Sequence, residues 1–169
     1  GRGIACGHMV YGRLTFLHDS SRVAIRLELD GTVTLRAGVP DLGGGQASVL
    51  CEIVAEELGL PMEDVHPFIM DTHLTPLCGT TTATRQFYMS GNAALKCART
   101  VKGWILDKAS KLLGYPADSL EMADRKVYLV NDPSVSIPFV QVIANMSNDG
   151  ELLMHEAQFN APFTEVPNL

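Results

Sequence analysis

A long amphipathic segment constrains the fold of this chain more than any other feature. Small or apolar residues recur along it at a spacing of three to four, namely Ala83, Phe87, Gly91, Leu95, Ala98, Val101, Ile105, Ala109 and Leu112. This spacing predicts one helix over 82–113, roughly 48 Å long at ~1.5 Å per residue. Thr80 to Thr82 are candidate N-caps, and Gly114 with Pro116 is predicted to end the helix. Gly91 lies on the apolar stripe and is predicted to be buried, because its missing side chain would let another element approach closely.

A glycine-rich turn precedes a second helical pattern. The sequence GVPDLGGGQ at 38–46 follows a strand-like segment and leads into ASVLCEIVAEELGL. Three glycines without Cβ atoms would let a ligand approach the backbone, and the start of the following helix has unsatisfied N–H groups and a positive dipole end. The turn is therefore a candidate anion site, with phosphate as the usual occupant. A plain Gly-rich turn that only reverses the chain is the alternative.

The remaining patterns predict an α+β domain. A hairpin is predicted over 22–39 around Asp30 and Gly31, and a first helix over 46–58 that ends at Gly59. Residues 64–71 are predicted to form a strand, at a sheet edge because of Pro67. Shorter elements are predicted at 4–17 (strands), 116–122 (turn or helix), 126–130 (strand), 136–146 (helix) and 151–159 (strand). We predict one domain over 1–169, in which a mixed β-sheet has its helices packed on one side.

Charge limits how such a domain can bind an anion. The 169 residues carry a formal net charge of −6, which argues against a nucleic-acid surface. An anionic ligand must then be held by local dipoles and a few cations. We predict that the two helix starts, at Gly44–Gln46 and Thr82–Gln86, lie close together on one face and share an anion cradle whose formal cation is Arg85. The alternative is that the second start is only a helix cap with an exposed arginine.

Metal-binding and membrane-spanning patterns are absent from the sequence. No apolar run approaches the ~18–20 residues that a membrane span needs. The four cysteines form no C-x-x-C, which argues against an iron–sulfur or zinc site and favours a reducing compartment, the cytoplasm. Cys51 and Cys97 lie in helical patterns and are predicted to be small buried hydrophobes. The histidines show no ligand spacing, and Asp71 is predicted to orient its loop by accepting backbone N–H bonds. We predict no metal ligands and no catalytic residues in this chain.

Three motifs in order, GVPDLGGGQ, DTHLTP and TTTATRQFYMSGNA, resemble the molybdopterin-binding region of the molybdenum hydroxylases. These are the xanthine dehydrogenase and aldehyde oxidoreductase family. The opening RGIACG, the DGTVTL hairpin and the segment at 57–65 also fit, so the resemblance covers nearly the whole chain. It implies part of a larger molybdenum subunit that oxidatively hydroxylates a heterocycle or an aldehyde, with a molybdenum–molybdopterin cofactor that bacterial members often carry as the cytosine dinucleotide. It also implies iron–sulfur clusters and FAD in partner domains or subunits.

The resemblance implies cofactor contacts from two segments, with the position of Ala83 near the metal. These residues are Gly43, Gly44, Gly45, Gln46, Thr82, Ala83, Thr84, Arg85 and Gln86. The family commonly has Gly-Gln-Gly where Gly43, Gly44 and Gly45 stand, so the amide is displaced by two positions to Gln46. The family's Gly-Glu motif, which supplies its catalytic base, has no match here. The isolated chain is therefore expected to be inactive and metal-free, and a non-catalytic subunit that supplies an interface to partner domains is the alternative function.

Overall fold

The computed structural model describes residues 1–7, 19–82 and 84–162. Within these residues the chain forms seven strands, three α-helices and two short 3₁₀ turns. In chain order the strands and α-helices are β1 (Ser20–Leu27), β2 (Val33–Ala37), α1 (Gln46–Leu58), β3 (Val65–Ile69), α2 (Arg85–Leu113), β4 (Leu120–Ala123), β5 (Lys126–Leu129), β6 (Asp132–Pro138), α3 (Phe139–Asn148) and β7 (Met154–Asn160). The predicted α+β class is confirmed. The strands predicted within 4–17 lie outside the described residues from residue 8 onward.

The main sheet is mixed and has the order β3-β2-β1-β7 among the described strands. β1 pairs antiparallel with β2 and with β7, and β2 pairs parallel with β3. The predicted hairpin is confirmed, with Ala24 opposite Arg36 and Gly31 at φ 90° in its turn. The edge position predicted for the strand with Pro67 is also confirmed. Because α1 connects β2 to the parallel β3, the carboxyl ends of both strands meet at one edge of the sheet.

A second, antiparallel sheet of β4, β5 and β6 contains two strands that the sequence pattern does not predict, β4 and β6. The turn or helix predicted at 116–122 is a 3₁₀ turn over Ala117–Ser119, and the chain enters β4 at Leu120. β6 begins beside one proline and ends with another, Pro133 and Pro138, and proline normally argues against a strand. β6 tolerates them because it is an edge strand. The helix predicted at 136–146 is α3, which begins only at Phe139 because Pro138 still belongs to β6.

Both long helices pack on the same face of the main sheet. α2 packs on β1 and β7, while α1 packs on α2 and β3. The other face of β1 carries exposed Arg22 and Arg26. The predicted arrangement of helices on one side of the sheet is therefore confirmed. In the described part of the chain, none of the helices combines the length and the apolar character that crossing a membrane requires.

The predicted long helix is confirmed, but its start and its buried face differ from the prediction. α2 has 29 residues and ends at Gly114, which has the left-handed φ of 77°. It begins at Arg85 rather than 82, because Thr84 takes a left-handed conformation (φ 57°) and no side chain caps the first turn. Thr80 to Thr82 are therefore not the N-cap.

The register of the buried stripe is partly wrong as well. Gly91, Ala98, Val101, Ile105 and Ala109 are buried as predicted, whereas Phe87 and Leu95 are half-buried and Leu112 is exposed. The buried face instead includes polar side chains in the first turns, because these turns face polar loops rather than the apolar core. They are Arg85, Gln86 and Ser90, joined by Lys108 further along.

Because Gly91 is buried, the stability of the protein should depend strongly on the size of the side chain at this position. A Cβ at Gly91 would lie 3.3 Å from the Cδ1 atom of Ile53 on α1. Gly91→Leu should overpack this contact and lower the free energy of unfolding by about 1–3 kcal/mol. Gly91→Ala is the matched control, since its single methyl group needs only a small shift of a flexible side chain and gains about 1 kcal/mol of helix propensity. Equal thermal midpoints for the two variants would contradict the packing described here.

The two helical cysteines are buried, as predicted. Burial raises the pKa of the Cys51 thiol to about 11 and that of Cys97 to about 12, because the thiolate loses its hydration. Both thiols therefore stay protonated at neutral pH and act as small apolar core residues.

Candidate functional site

A cleft of about 560 Å³ opens beside the carboxyl ends of β2 and β3. Gly38 and Pro40 line one side of it. The other side is the loop that follows β3, with Met70, Asp71, Thr72, Thr75, Pro76, Leu77, Cys78, Gly79 and Thr80. Ligands of open α/β sheets bind at the carboxyl ends of parallel strands, and ligand pockets commonly measure about 300–1,000 Å³. This cleft is the candidate functional site.

Direct bonds hold the two sides of the cleft together. The Gly38 N–H donates to the Pro76 carbonyl at 3.2 Å, and the Cys78 thiol donates to the Gly38 carbonyl at 3.0 Å. A Cβ at Gly38 would lie 2.6 Å from the Pro76 oxygen. Only glycine therefore allows the strand end and the loop to approach this closely.

Asp71 orders the start of the loop, as predicted. Its Oδ1 atom accepts N–H bonds from His73 and Leu74, each at 2.8 Å. Met70 before it has a left-handed φ of 63°. The role of Asp71 is thus to shape the loop, and the backbone amide of His73 takes part in that turn.

The glycine turn already binds a carboxylate from the chain itself. Asp41 Oδ1 accepts the N–H groups of Gly43 at 2.9 Å and Gly45 at 3.3 Å. This corrects the prediction that these donors are free for an external anion. A phosphate placed at the turn would meet the negative charge of Asp41, so the turn is better suited to a neutral ligand group.

Gln46 has an unsatisfied polar atom at the same turn. Its Oε1 atom is buried and has no hydrogen-bond partner among the described residues. A Cβ at Gly44 would lie 2.9 Å from Gln46 Nε2, so the amide folds back over the glycines. An unpaired buried acceptor costs about 1–3 kcal/mol, and a ligand N–H group placed here would remove that cost.

Arg85 does not face a ligand. Its side chain has no exposed surface, and its five N–H donors are all engaged. Nε and Nη2 donate to the Asp19 carboxylate at 2.7 and 2.6 Å. The remaining bonds go to the carbonyl oxygens of Ser20, Cys78 and Thr80 at 2.8–2.9 Å. The prediction that Arg85 supplies positive charge to an anion cradle is therefore wrong, and so is the alternative of an exposed arginine.

Gln86 also turns inward. It is 3% exposed, and its Nε2 atom donates to Thr81 Oγ1 at 2.8 Å and to Cys78 Sγ at 3.3 Å. Its Oε1 atom accepts the Ser90 hydroxyl at 2.9 Å, and Ser90 in turn bonds Ser21 at 2.8 Å. The amide of Gln86 thus has partners at both ends within the protein.

The other predicted site residues are at the surface or outside the described residues. Thr82 and Thr84 are exposed, and Ala83 is not among the described residues. The loops that lead to the two helices do line one cleft, through Pro40 and Thr80. The described residues of the two predicted helix starts are not among those that line this cleft, so their proximity stays a prediction, while the charge of the cradle does not come from Arg85.

No cluster of three or more His, Cys, Asp or Glu side chains that could hold a metal ion occurs within residues 1–7, 19–82 and 84–162. Glu151 pairs with Lys108, and Glu156 pairs with Arg22. Both glutamates thus form ion pairs with basic side chains of this chain.

Sequence reasoning missed the residues that join Arg85 and Gln86 to the rest of the fold. Asp19, Ser21 and Cys78 belong to no motif, and Thr81, within TTTATRQFYMSGNA, is predicted only as a helix cap. Asp19 lies 66 positions from Arg85 in the chain, so no local pattern links them. Gly38 was also not predicted as a site residue. Its place directly after a strand is the sequence signal that could have indicated a close approach of the backbone there.

Known proteins share both the sequence pattern and this fold. The family model described as "Molybdopterin cofactor-binding domain" matches residues 1–168. The chain is 36% identical to a nicotinate dehydrogenase subunit of Pseudomonas putida over 107 residues, which is 63% of this chain and 9% of that protein. It is 28% identical to a putative xanthine dehydrogenase molybdenum-binding subunit of Escherichia coli over 134 residues, which is 79% of this chain and 18% of that protein. The chain thus spans less than a fifth of these relatives.

Solved structures share the fold. Quinoline 2-oxidoreductase from Pseudomonas putida 86 superposes with a TM-score of 0.73 at 22% identity, over 83% of this chain and 19% of that chain. A Cu,Mo-CO dehydrogenase superposes with a TM-score of 0.71 at 22% identity, over 85% and 18% respectively. At this identity the likeness concerns the fold alone.

Proposed function

The chain belongs to the molybdopterin cofactor-binding domain family, and from that membership we propose that it is the part of a larger molybdenum hydroxylase that holds molybdopterin in the cleft. The enzyme would be of the xanthine dehydrogenase or aldehyde oxidase type and would oxidatively hydroxylate a heterocycle or an aldehyde. The observation that carries this proposal is the buried Oε1 atom of Gln46 at the glycine turn, which has no hydrogen-bond partner among the described residues of a chain matched over 1–168. Residues 1–169 would form a single domain of that subunit.

The residues present fit a pterin better than a phosphate at the turn. A pterin has amino and ring N–H donors, and Gln46 Oε1 is an acceptor without a donor among the described residues. Asp41 adds negative charge beside Gly43 and Gly45, which disfavours a phosphate there. When bound, the cofactor would supply the redox chemistry, while this chain supplies shape and hydrogen bonds.

The two predicted segments have different roles in this proposal. Gly43, Gly44, Gly45 and Gln46 would contact the pterin directly, with the glycines allowing close approach. From the second segment, the exposed Thr82 and Thr84 would contact it through backbone and small side chains, and we propose the same for Ala83. Arg85 and Gln86 would stand behind that segment, because their side chains bond the protein interior.

Exposed apolar residues form a rim beside the cleft, and this rim supports the view that other domains of the subunit complete the binding site. Met70, Leu74 and Leu77 are 57%, 53% and 83% exposed. Clustered exposed apolar residues mark interaction surfaces. We propose that the remaining molybdenum-subunit domains cover this rim, and that these other domains bind the phosphate or cytosine dinucleotide end of the cofactor. A purely interfacial role of the chain would use the same rim but would leave Gln46 unpartnered.

The relatives named as subunits support partners outside this polypeptide. We propose iron–sulfur and flavin domains or subunits as electron acceptors, as the resemblance implies, and a small-molecule substrate. All four cysteines are free thiols, which supports a reducing compartment and hence the cytoplasm.

Removing the Gln46 amide tests the proposal. In the assembled enzyme, Gln46→Leu should weaken pterin binding about fivefold, which corresponds to roughly 1 kcal/mol for one lost hydrogen bond. Molybdenum and pterin content per protein measure this loss. The matched control is Gln141→Leu, which removes an exposed amide on α3. Equal cofactor content in the two variants, or wild-type enzyme without molybdopterin, would contradict the proposed function.

A further inference from the structure

We propose that Arg85 and Gln86 are positioning residues, which fix the cleft wall at 78–81 through a buried hydrogen-bond network. We call this network the loop clamp; its members are Asp19, Ser21, Arg85, Gln86 and Ser90. The inference rests on the proposed function, because it concerns how the cleft keeps its shape for molybdopterin.

One end of the loop clamp is anchored on β1. Arg85 forms charge-assisted bonds to the Asp19 carboxylate, which is itself 9% exposed, and it donates to the Ser20 carbonyl. One turn further along α2, Ser90 bonds Ser21 at 2.8 Å. The first turns of α2 are thus tied to the start of β1 at two levels.

The other end of the loop clamp holds the loop. Arg85 Nη1 donates to the carbonyls of Cys78 at 2.8 Å and Thr80 at 2.9 Å, and Gln86 Nε2 donates to Thr81 at 2.8 Å. Gly79 makes this possible, because a Cβ there would lie 2.6 Å from Arg85 Nη2 and its φ is +75°. Gln86 Nε2 also lies 3.5 Å from the Gly79 carbonyl oxygen, so all four loop residues are bonded to two adjacent helix residues.

The loop clamp also reaches the opposite wall of the cleft. Gln86 donates to Cys78 Sγ at 3.3 Å, and the same thiol donates to the Gly38 carbonyl at 3.0 Å. Cys78 thus links Gln86 to the end of β2. Loss of the Gln86 amide would remove the bond that fixes this thiol from the helix side.

Energetics favour a geometric role over a purely stabilising one. A buried ion pair is often no more stable than well-packed apolar residues of the same volume, whereas a fully satisfied polar network rigidifies its surroundings and specifies one arrangement. The network stands directly behind Cys78, Gly79 and Thr80, which line the cleft. The network is therefore placed to fix these residues.

Lys108 provides a matched control on the same helix. It is 4% exposed and pairs with Asp149 and Glu151, at the opposite end of α2 from the cleft. At ~1.5 Å per residue it lies roughly 34 Å from Arg85 along the helix. Its removal should destabilise the fold without affecting the cleft wall.

The experiment compares Gln86→Met, Thr81→Val and Lys108→Met in the assembled, cofactor-loaded enzyme. The readouts are the rate of pterin release, followed by fluorescence of the oxidised pterin, and the thermal midpoint. Gln86→Met should release pterin about 10- to 100-fold faster, as expected for loss of a group that orients ligand-contacting residues. Thr81→Val should share part of this effect, and the double variant should not exceed Gln86→Met. Lys108→Met should lower the midpoint and leave release at the wild-type rate.

Two outcomes separate this inference from the proposed function. If wild-type enzyme holds molybdopterin and Gln86→Met releases it no faster than Lys108→Met, the loop clamp does not position the cleft wall and the inference is overturned alone. If wild-type enzyme contains no molybdopterin, the proposed function is overturned, and the inference with it.

Discussion

Replacing Arg85 with methionine is expected to lower the free energy of unfolding by about 3–5 kcal/mol. The variant leaves the nearly buried Asp19 carboxylate without its cation, and removing one partner of a buried pair carries a cost of this size. It also leaves the carbonyl oxygens of Ser20, Cys78 and Thr80 without their donors. Urea denaturation at pH 7 measures the change.

Two further variants test why Arg85→Met lowers the free energy of unfolding. Asp19→Asn combined with Arg85→Met removes the uncompensated charge, so the double variant should lose less than the sum of the single losses. Arg22→Met is the matched control, because Arg22 and Glu156 form an exposed pair with side chains 51% and 46% accessible. Such a pair contributes about 0–1 kcal/mol. If Arg85→Met were as mild as Arg22→Met, Arg85 would not be buried as described.

Replacing Gly59 with alanine is expected to cost roughly 2–6 kcal/mol, or to prevent folding. Gly59 ends α1 with φ 60°, where an alanine is strained by about 1–3 kcal/mol. The added Cβ would also lie 2.1 Å from the Met122 carbonyl oxygen on β4. Because that contact is with backbone, it can be relieved only by moving the strand, which adds about 1–3 kcal/mol of overpacking.

Gly114 is the control for the strain alone. It ends α2 with nearly the same geometry, φ 77°, but a Cβ there would meet no atom of the described residues within 4 Å. Gly114→Ala should therefore cost only the strain, about 1–3 kcal/mol. Equal thermal midpoints for the two alanine variants would show that α1 does not end against β4.

Features governed by short stretches of sequence are predicted well. α1 covers 46–58 and stops at Gly59 as the pattern predicts, since hydrophobic period and a glycine stop are local signals. The Asp30–Gly31 hairpin and the loop-ordering role of Asp71 are likewise local, because each depends on bonds between residues two to four positions apart. The family could also be predicted from the sequence, because the three motifs GVPDLGGGQ, DTHLTP and TTTATRQFYMSGNA occur in a characteristic order. The family model that matches residues 1–168 confirms this prediction.

Features that depend on residues distant in the chain are predicted poorly. β6 forms despite two prolines because an edge of the small sheet accepts it. The direct-contact roles of Gly43, Gly44, Gly45, Gln46 and the 82–86 segment stay proposals, and the charge balance predicted for them is wrong. Asp19, far in sequence, takes the guanidinium. The bond from Asp41 to the glycine turn is an exception, because it is local and was nevertheless not predicted.

The sequence by itself determined the periodic elements, their ends at glycines and the family, because each of these depends on residue order along the chain. Tertiary structure decided which polar groups face the cleft. α2 and β1 pack so that Arg85 and Gln86 lie under the loop at 78–81, while Gln46 keeps an acceptor without a partner among the described residues. The physical reason is that a buried hydrogen bond depends on positions in space: a side chain donates to whichever acceptor packing brings within about 3 Å, however far apart the two residues are in the chain.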